Sequence, residues 1–490
     1  MDEFSARTRA ASLDAMAAGP LDVLVVGGGI VGTWVALAAA LRGYRTGLVE
    51  KGDFASGTSG RTSRLVHGGL RYLQQFRLGV VRQAARERDV LLRIAPDLVK
   101  PLTFLLPVYR DRGAKGWLLH VGLWLYDLSS RDKVLPRRVW LSREDALGRE
   151  PRLGGGSLVS GALYSDAVTR DTRLVLRVAR AAAEAGAHIA NYARVLDLTR
   201  EAGRVSGAVV RDEESGGTIA VRAANVVNAT GVWGGDLQDT ARRLKLRPTK
   251  GIHVLVPRSR IGNTGALVIP TEDHRIAFVL PWGELSLIGT TDTDYRGDRD
   301  RVEADAGDVA YLLRAVNDAF PEAHLTAADV VSAYAGLRPL VDTGEAKESD
   351  ISRRHVVLED PDGLLTVASG KLTTARAMAE DVLARVARRS PPRRAADTRA
   401  VSLRGGGVPE GDVARQAAHC ARHEMALHVD DVLVRRLGLY HERDDQGVRV
   451  APGVAEALGV ELHWDAERRA QELARYRGIV EAGRAWRSHA

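Results

Sequence analysis

The feature that most constrains this sequence is a run of 19 residues without a charge, Val23 to Leu41, reading VLVVGGGIVGTWVALAAAL. A spanning helix requires about 20 apolar residues. Three consecutive glycines near the start argue against one continuous helix, because glycine favours turns and weakens helix interiors. A buried strand (LDVLVVG), a glycine turn (GGIVG) and a buried helix (TWVALAAALRGY) explain the same letters, with a second strand, RTGLVE, behind them.

Gly27, Gly29 and Gly32 fall at G-x-G-x-x-G spacing between that strand and helix. Gly27 suits the tight turn, Gly29 lets a pyrophosphate approach the backbone, and Gly32 lets the helix pack on the strand. Phosphates then face the free N–H groups of the helix N-terminus. Glu50 closes the second strand about 20 residues on, where a carboxylate holds a ribose diol. The glycine spacing alone also fits a plain α/β turn; its context is what makes it a dinucleotide site. NAD and FAD both use this arrangement. Two features favour FAD. NVVNATG, ending at Gly231, is a second buried strand with a small-residue turn, and SGKLTTAR places Gly370 before a helix that starts near Thr373. A helix N-terminus aimed at a flavin ring stabilises the anion formed on reduction; an ordinary β-turn-α unit is the alternative for SGKLTTAR.

The 490 residues imply two or three domains. A net charge of +8 permits an anionic substrate, a membrane surface or a nucleic acid, but no Lys/Arg run alternates with stacking aromatics, so nucleic acid is not expected. The one cysteine, Cys420, excludes disulfides and cysteine-ligated metals within the chain and fits a reducing compartment. The first 20 residues lack the basic start and apolar core of a signal peptide. GWLLHVGLWLY, residues 116–126, is too short to span a bilayer and reads as a core helix, with a membrane-dipping one as the alternative.

Further along, DTRLVLRVARAAAEAGA predicts an amphipathic helix capped by Asp171 or Thr172. A strand meander follows in HIANYARVLDL, RVSGAVVRDEESGGTIAVRA and NVVNATG. Residues 251–334 are mostly strands, with a helix over Ala306 to Phe320. A Pro/Gly/Arg-rich linker precedes a polar helical unit from about Asp412.

Several segments together resemble the bacterial FAD-dependent glycerol-3-phosphate dehydrogenases of the aerobic respiratory type. They are VVGGGIVG, FASGTSGRTSRLVHGGLRYL, LLRIAPDLVKPLTFLLPVY, VNATGVW, TKGIHVLVPR, EDHRIAFVLPW, LIGTTDTDY, YAGLRPL and SGKLTTAR. HEMALHVDDVLVRRL resembles that family's helical cap. The chain departs from the family at Ser369 and Ala375, where a glycine and a tyrosine are usual, and at Gly60 and Arg64, commonly serine and lysine. The cap is also shortened at its start.

The resemblance implies an α/β fold: an FAD-binding Rossmann-like domain of the glutathione-reductase/D-amino-acid-oxidase type, an antiparallel-sheet substrate domain and a small C-terminal helical domain. The expected divisions are 20–92, 160–250 and 336–390 for FAD binding, 93–159 and 251–335 for substrate, a linker over 391–411, and the cap over 412–490. It implies oxidation of sn-glycerol 3-phosphate to dihydroxyacetone phosphate by hydride transfer to flavin N5, with electrons passed to a quinone. The alternatives are an oxidase reducing O2 to hydrogen peroxide, a related flavoprotein acting on another small substrate, and a non-catalytic flavin-binding protein.

A phosphate dianion calls for convergent cations, which suit guanidinium forks and a lysine point charge. The resemblance implies Arg338 and Lys371 at the substrate as catalytic and binding groups, with Arg71, Tyr72, Arg275 and Arg353 as further contacts. His67 is the candidate base, with flavin contact or support of the turn as alternatives. Thr58 and Ser59 are candidate pyrophosphate donors, and Gly68, Leu372 and Thr373 candidate flavin neighbours. His253, His274 and His355 read as structural, Thr290 and Thr291 as structural or site residues, and no metal site is expected. Quinone reduction implies a peripheral site on the inner face of the cell membrane in an otherwise cytoplasmic protein; homodimer formation is left open.

Overall fold

The computed structural model describes residues 3–69, 78–111, 119, 122–124, 126, 135–238, 244–273, 275–342, 355–368 and 370–489. In chain order the strands are β1 (Leu21–Val26), β2 (Thr46–Val49), β3 (Leu65–Val66), β4 (Val99–Tyr109), β5 (Val139–Leu141), β6 (Leu158–Thr169), β7 (His188–Ala190), β8 (Ala193–Glu201) and β9 (Arg204–Asp212). They continue as β10 (Thr218–Asn228), β11 (Leu246–Pro257), β12 (Ala266–Pro270), β13 (Ile276–Trp282), β14 (Leu285–Gly289), β15 (Thr293–Asp294), β16 (Ser332–Val341), β17 (Val356–Glu359) and β18 (Leu365–Ala368). The longer helices are α1 (Ala6–Ala18), α2 (Ile30–Leu41), α3 (Leu78–Ile94), α4 (Asp171–Glu184), α5 (Ala306–Ala319), α6 (Ala375–Arg389), α7 (Val413–His423), α8 (Ala451–Leu462) and α9 (Ala466–Arg484).

The first sheet runs β17-β18-β10-β1-β2-β7, parallel from β18 to β7, with the antiparallel meander β8–β9 joined to β10. Strand periodicity explains why β1 reads as a continuous apolar run. Val23 and Val25 enter a core with α2, α4 and α6, while Leu24 and Val26 enter a second core with α1 and the meander. Both faces are covered, as parallel sheets require. Val26 lies beside Val49 and Asn228, so the carboxyl ends of β1, β2 and β10 finish level. Ligands bind at that end of such sheets.

The second sheet runs β15-β11-β14-β13-β12-β4-β6-β3, with β16 on β11 and β5 on β6. Ile252, Val254 and Val256 of β11 pack towards α5, and Leu255 packs into the opposite core. The helical C-terminal unit has its own core around Cys420, Val432, Leu433 and Tyr476. Among the described residues, no helix is long and apolar enough to cross a membrane.

The chain crosses between the sheets more often than the expected divisions allow. β6 and β16, which begin at 158 and 332, pair in the second sheet, whereas the expected divisions place residues 160–250 and 336–390 with FAD binding. β11 enters the second sheet at Leu246, before the expected boundary at 251. NVVN is the end of β10 rather than a separate strand, because 218–222 pair with β9 and 223–228 with β1. Arg170 takes the cap position of α4. Asp171 is instead its first residue, and its carboxylate accepts from Thr62 N and Oγ1 and from Thr172 N. Most of 116–126 lies outside the described residues; of the remainder, Leu123 and Tyr126 are buried and Trp124 is exposed.

Candidate cofactor and substrate site

A cavity of about 390 Å³ opens at the level carboxyl ends of β1, β2 and β10. Its walls include Gly27, Gly29, Ile30, Glu50, Lys51, Ser59, the start of β8, Gly231, Gly370, Lys371 and Leu372. Each fingerprint glycine has its own reason. Gly27 lies at φ +115°, and a Cβ there would meet the Ala229 carbonyl oxygen at 2.6 Å. A Cβ on Gly32 would lie 1.9 Å from the Gly27 carbonyl oxygen. Gly29 caps α2 without a side chain, so the N–H groups of the first turn face the cavity mouth. Ser59 reaches this terminus, its Oγ accepting from Ile30 N at 3.0 Å.

Glu50 is where a ribose partner is needed. Its carboxylate accepts from Gly28 N at 2.6 Å and Gly52 N at 2.9 Å. Burial raises its pKa despite these two N–H bonds, so a hydroxyl donor arriving there would be well received. Thr58 lines the cavity, but its hydroxyl donates to the Leu337 carbonyl at 2.6 Å and ties this loop to β16. At the other end, Gly231 (φ +63°) and Gly370 (φ +98°) turn the backbone around the cavity; a Cβ on Gly231 would meet open space. Leu372–Thr374 forms a short 3₁₀ turn leading into α6. The glycine cradle, the N-terminus of α2 and the carboxylate fit a dinucleotide such as FAD.

The expected flavin neighbours occupy one connected structure. His67 N donates to Thr373 Oγ1 at 3.1 Å, tying the HGG turn to the 3₁₀ turn. Gly68 N donates to Tyr126 OH at 2.9 Å and Asp166 Oδ1 at 3.1 Å. A Cβ on Gly68 would meet the Tyr126 hydroxyl oxygen at 2.5 Å, so the space beside this glycine is filled by the tyrosine. Asp166 also accepts from Arg88 at 2.8 Å, and Arg88 Nε donates to Asp89 at 3.0 Å. The preceding residue, Glu87, accepts from Arg376 of the SGKLTTAR segment at 2.8 and 2.6 Å. Three consecutive charged residues of α3, all buried, therefore brace both motifs. Sequence reasoning missed them, although charges inside an otherwise amphipathic helix were the available signal.

Arg338 and Arg275 converge on Asp292, which sequence reasoning also missed. Arg338 donates to Asp292 Oδ1 at 3.1 Å, Thr290 Oγ1 at 3.1 Å and the Thr291 carbonyl at 3.2 Å. Arg275 donates to the Asp292 carbonyl and pairs with Asp273 at 3.1 Å. The Arg338 guanidinium lies over Gly251, where a Cβ would meet it at 2.4 Å. Pro339 carries β16 from Arg338 to the cavity wall. His253 stacks on Tyr334, with ring centroids 4.9 Å apart, and its Nε2 lies 2.8 Å from Ser63 Oγ. Burial, then the charges of Arg338 and Arg64, depress its pKa to about 3, so it is held neutral.

His355 lies 2.5 Å from Asp381. Arg71, Tyr72, His274, Arg353 and Ser369 lie outside the described residues. Of the departures from the family, Gly60 is required locally because a Cβ would meet the Ala55 carbonyl oxygen at 2.4 Å. Arg64 is buried with its guanidinium 3.3 Å from the Trp282 ring centroid. Ala375 is fully buried in the α2–α6 core.

A family model described as FAD dependent oxidoreductase matches residues 22–385, and one described as the C-terminal domain of alpha-glycerophosphate oxidase matches 393–469. The chain is 38% identical over 531 residues to the glycerol-3-phosphate dehydrogenase of Mycobacterium leprae, covering 97% of this chain and 90% of that one. It is 37% identical over 446 residues to the alpha-glycerophosphate oxidase of Streptococcus pneumoniae, covering 78% and 73%. The solved glycerol-3-phosphate dehydrogenase of Bacillus halodurans, complexed with FAD, matches with a TM-score of 0.81 at 28% identity over 98% of both chains. With the glycine cradle, the level strand ends and the helical C-terminal unit all present, this chain belongs to the FAD-dependent glycerol-3-phosphate dehydrogenase family.

Proposed function

We propose that this chain oxidises sn-glycerol 3-phosphate to dihydroxyacetone phosphate in glycerol metabolism and delivers the electrons to a quinone. The observation that carries this reading is the convergence of Arg338 and Arg275 on Asp292, one residue along β16 from the wall of the FAD cavity. Guanidinium forks held by a carboxylate and carbonyls are preorganised, and a phosphate dianion competes with Asp292 for them. Lys371, on the cavity wall, adds a point charge beside the reacting end. Arg71, Tyr72 and Arg353 complete the grip in this reading.

Oxidation of the secondary alcohol removes two electrons and two protons. When bound, FAD supplies the two-electron oxidant. His67, half-buried on a turn tied to Thr373, takes the hydroxyl proton in this reading. His253 is the poorer acceptor, since its neutral form is retained down to about pH 3.

The near full-length likeness to dehydrogenases favours a quinone acceptor over O2, because the oxidase likeness spans only 78% of this chain. Contact with the inner face of the membrane is supported by exposed Val139 and Trp140 following exposed Arg137, an aromatic and basic combination suited to an anionic lipid surface. The purified protein is expected to be yellow and to lose its flavin band under anaerobic glycerol 3-phosphate. A band that persists at saturating substrate but is bleached by dithionite refutes the activity. An oxygen electrode run beside a quinone-dye assay then separates the two acceptors.

A further inference from the structure

Two walls of the cofactor groove are anchored from behind by one short segment of the C-terminal unit. The loop after β2 gives the groove Glu50, Lys51 and residues 55–59. Asp53 does not line the groove and is 1% exposed. Its carboxylate accepts from both terminal nitrogens of Arg436, from Arg435 Nε, and from Asn191 Nδ2 at 3.2 Å. The second wall is the start of β8, residues 193–196. Just before it, Tyr192 donates its hydroxyl to Asp431. The two walls are also stitched to each other, Tyr192 N donating to the Gly52 carbonyl at 2.8 Å and Ala193 N to the Glu50 carbonyl at 2.7 Å.

Asp431, Arg435 and Arg436 lie on one π-helical segment, Asp431–Arg436. That segment is itself fixed. Asp431 accepts from Leu427 N at 2.7 Å and His428 N at 3.0 Å, and Arg436 donates to the Glu424 carbonyl at 2.8 Å. Hydrogen bonds to charged groups are the stronger class, and a wall held in place needs no ordering when a ligand arrives.

We propose that Asp431–Arg436 is a positioning clamp for FAD, with Arg435 and Arg436 fixing the ribose-side loop through Asp53 and Asp431 fixing the facing wall through Tyr192. None of Arg435, Arg436 and Tyr192 touches the groove, so these are positioning residues. The C-terminal unit thereby sets how tightly the flavin is held, independently of the substrate grip at Arg338.

The test uses the holoenzyme with Tyr192→Phe and Arg435→Gln, which keep most of the side-chain volume, and reads FAD release by recovery of flavin fluorescence on dilution. Losing one bond of this class raises the FAD dissociation constant about tenfold. The KM for glycerol 3-phosphate at saturating FAD stays unchanged. An FAD dissociation constant equal to the parent's in both folded variants overturns the clamp, as does a KM that rises in step with it. If Arg435→Gln fails to fold, Tyr192→Phe decides alone, since it removes only a hydroxyl. A parent protein that holds no FAD sinks the family reading itself, an outcome distinct from variants that hold it as well as the parent.

Discussion

Substituting alanine at Gly32 and at Gly29 separates the packing role of the fingerprint from its binding role. A Cβ at Gly32 lies 1.9 Å from the Gly27 carbonyl oxygen and 3.1 Å from its carbon. Restoring an ordinary carbon–oxygen contact of about 3.3 Å requires α2 to retreat from the turn by about 1.4 Å. The neighbour is backbone, so no side chain can rotate away. Alanine in a helix gains about 1 kcal/mol over glycine. Overpacking a filled core costs about 1–3 kcal/mol, and so hard a contact belongs at the upper end. The expected net loss is therefore about 2 kcal/mol of unfolding free energy, together with FAD binding, because the N-terminus of α2 moves with the helix. At Gly29 the same Cβ meets only the Ser59 side chain, its Oγ at 3.0 Å, which a rotamer change relieves at the cost of the bond from Ile30 N. Gly29→Ala should keep most of the stability and weaken FAD by about tenfold or more, since a methyl then stands where the phosphates approach. Equilibrium urea unfolding of the deflavinated proteins and flavin-fluorescence titration read the two quantities. Parental stability in Gly32→Ala refutes the packing argument, and parental FAD affinity in Gly29→Ala refutes the cradle.

Gly68→Ala should destabilise the HGG turn through the 2.5 Å contact with Tyr126 OH, and Tyr126→Phe in the same chain should restore part of the loss; lack of rescue in urea unfolding counts against that contact. Arg338→Ala should raise the KM for glycerol 3-phosphate by about a hundredfold, the loss of one bidentate charged contact of about 3 kcal/mol, while leaving glycerol oxidation unaffected; equal loss toward both substrates refutes the phosphate role. Burial opposes charge on His428, but hydrogen bonds with Glu214 and Glu472 outweigh it and raise its pKa from 6.5 to about 9. Its contribution is therefore fully present below pH 6.5 and is lost as pH rises through 9, amounting to at most about 3 kcal/mol. His428→Gln should flatten the fall in unfolding free energy between pH 7 and 9, and an unchanged slope refutes this assignment.

The parts of the fold legible in the sequence were those whose reasons are local. LDVLVVGGGIVG announces a strand, a turn and a helix because apolar period and glycine positions lie within a dozen residues, and Glu50 follows from the same unit. The sheet membership of β6, β11 and β16 was not legible, because each is an ordinary apolar strand whose partner is chosen by distant segments. β10 shows the limit well: nothing in TIAVRAANVVN marks the point after Arg222 where it leaves β9 for β1. The site divides in the same way. Arg338, Lys371, Ser59 and Gly370 sit in motifs with a resemblance to guide them. Asp292 lies in the recognised LIGTTDTDY, yet its role depends on Arg338 from β16 and Arg275 from the turn before β13. Asp53 and Arg436 are 383 positions apart, and nothing around either residue in the sequence points to the other.

Those long-range ties have a common chemistry that bears on why they exist. Glu87, Arg88, Asp89, Asp166, Asp53 and Arg436 are each at most 5% exposed, and all of them brace loops around the cofactor groove. Burying so many charges is a poor route to stability, because desolvation offsets most of the Coulomb attraction and apolar residues of equal volume often serve as well. What an apolar contact lacks is direction. A carboxylate accepting from a guanidinium fork and a backbone N–H fixes a loop to a few tenths of an ångström, whereas packed methyl groups tolerate sliding. The SGKLTTAR turn and the loop after β2 come from remote parts of the sequence and wall one groove, and the HGG turn is tied to the former through Thr373. Charged bracing is where fixed position matters more than net stability. On this reasoning, replacing such a pair by matched apolar residues leaves unfolding free energy nearly intact while loosening FAD, the reverse of what Gly32→Ala does to the core beneath them.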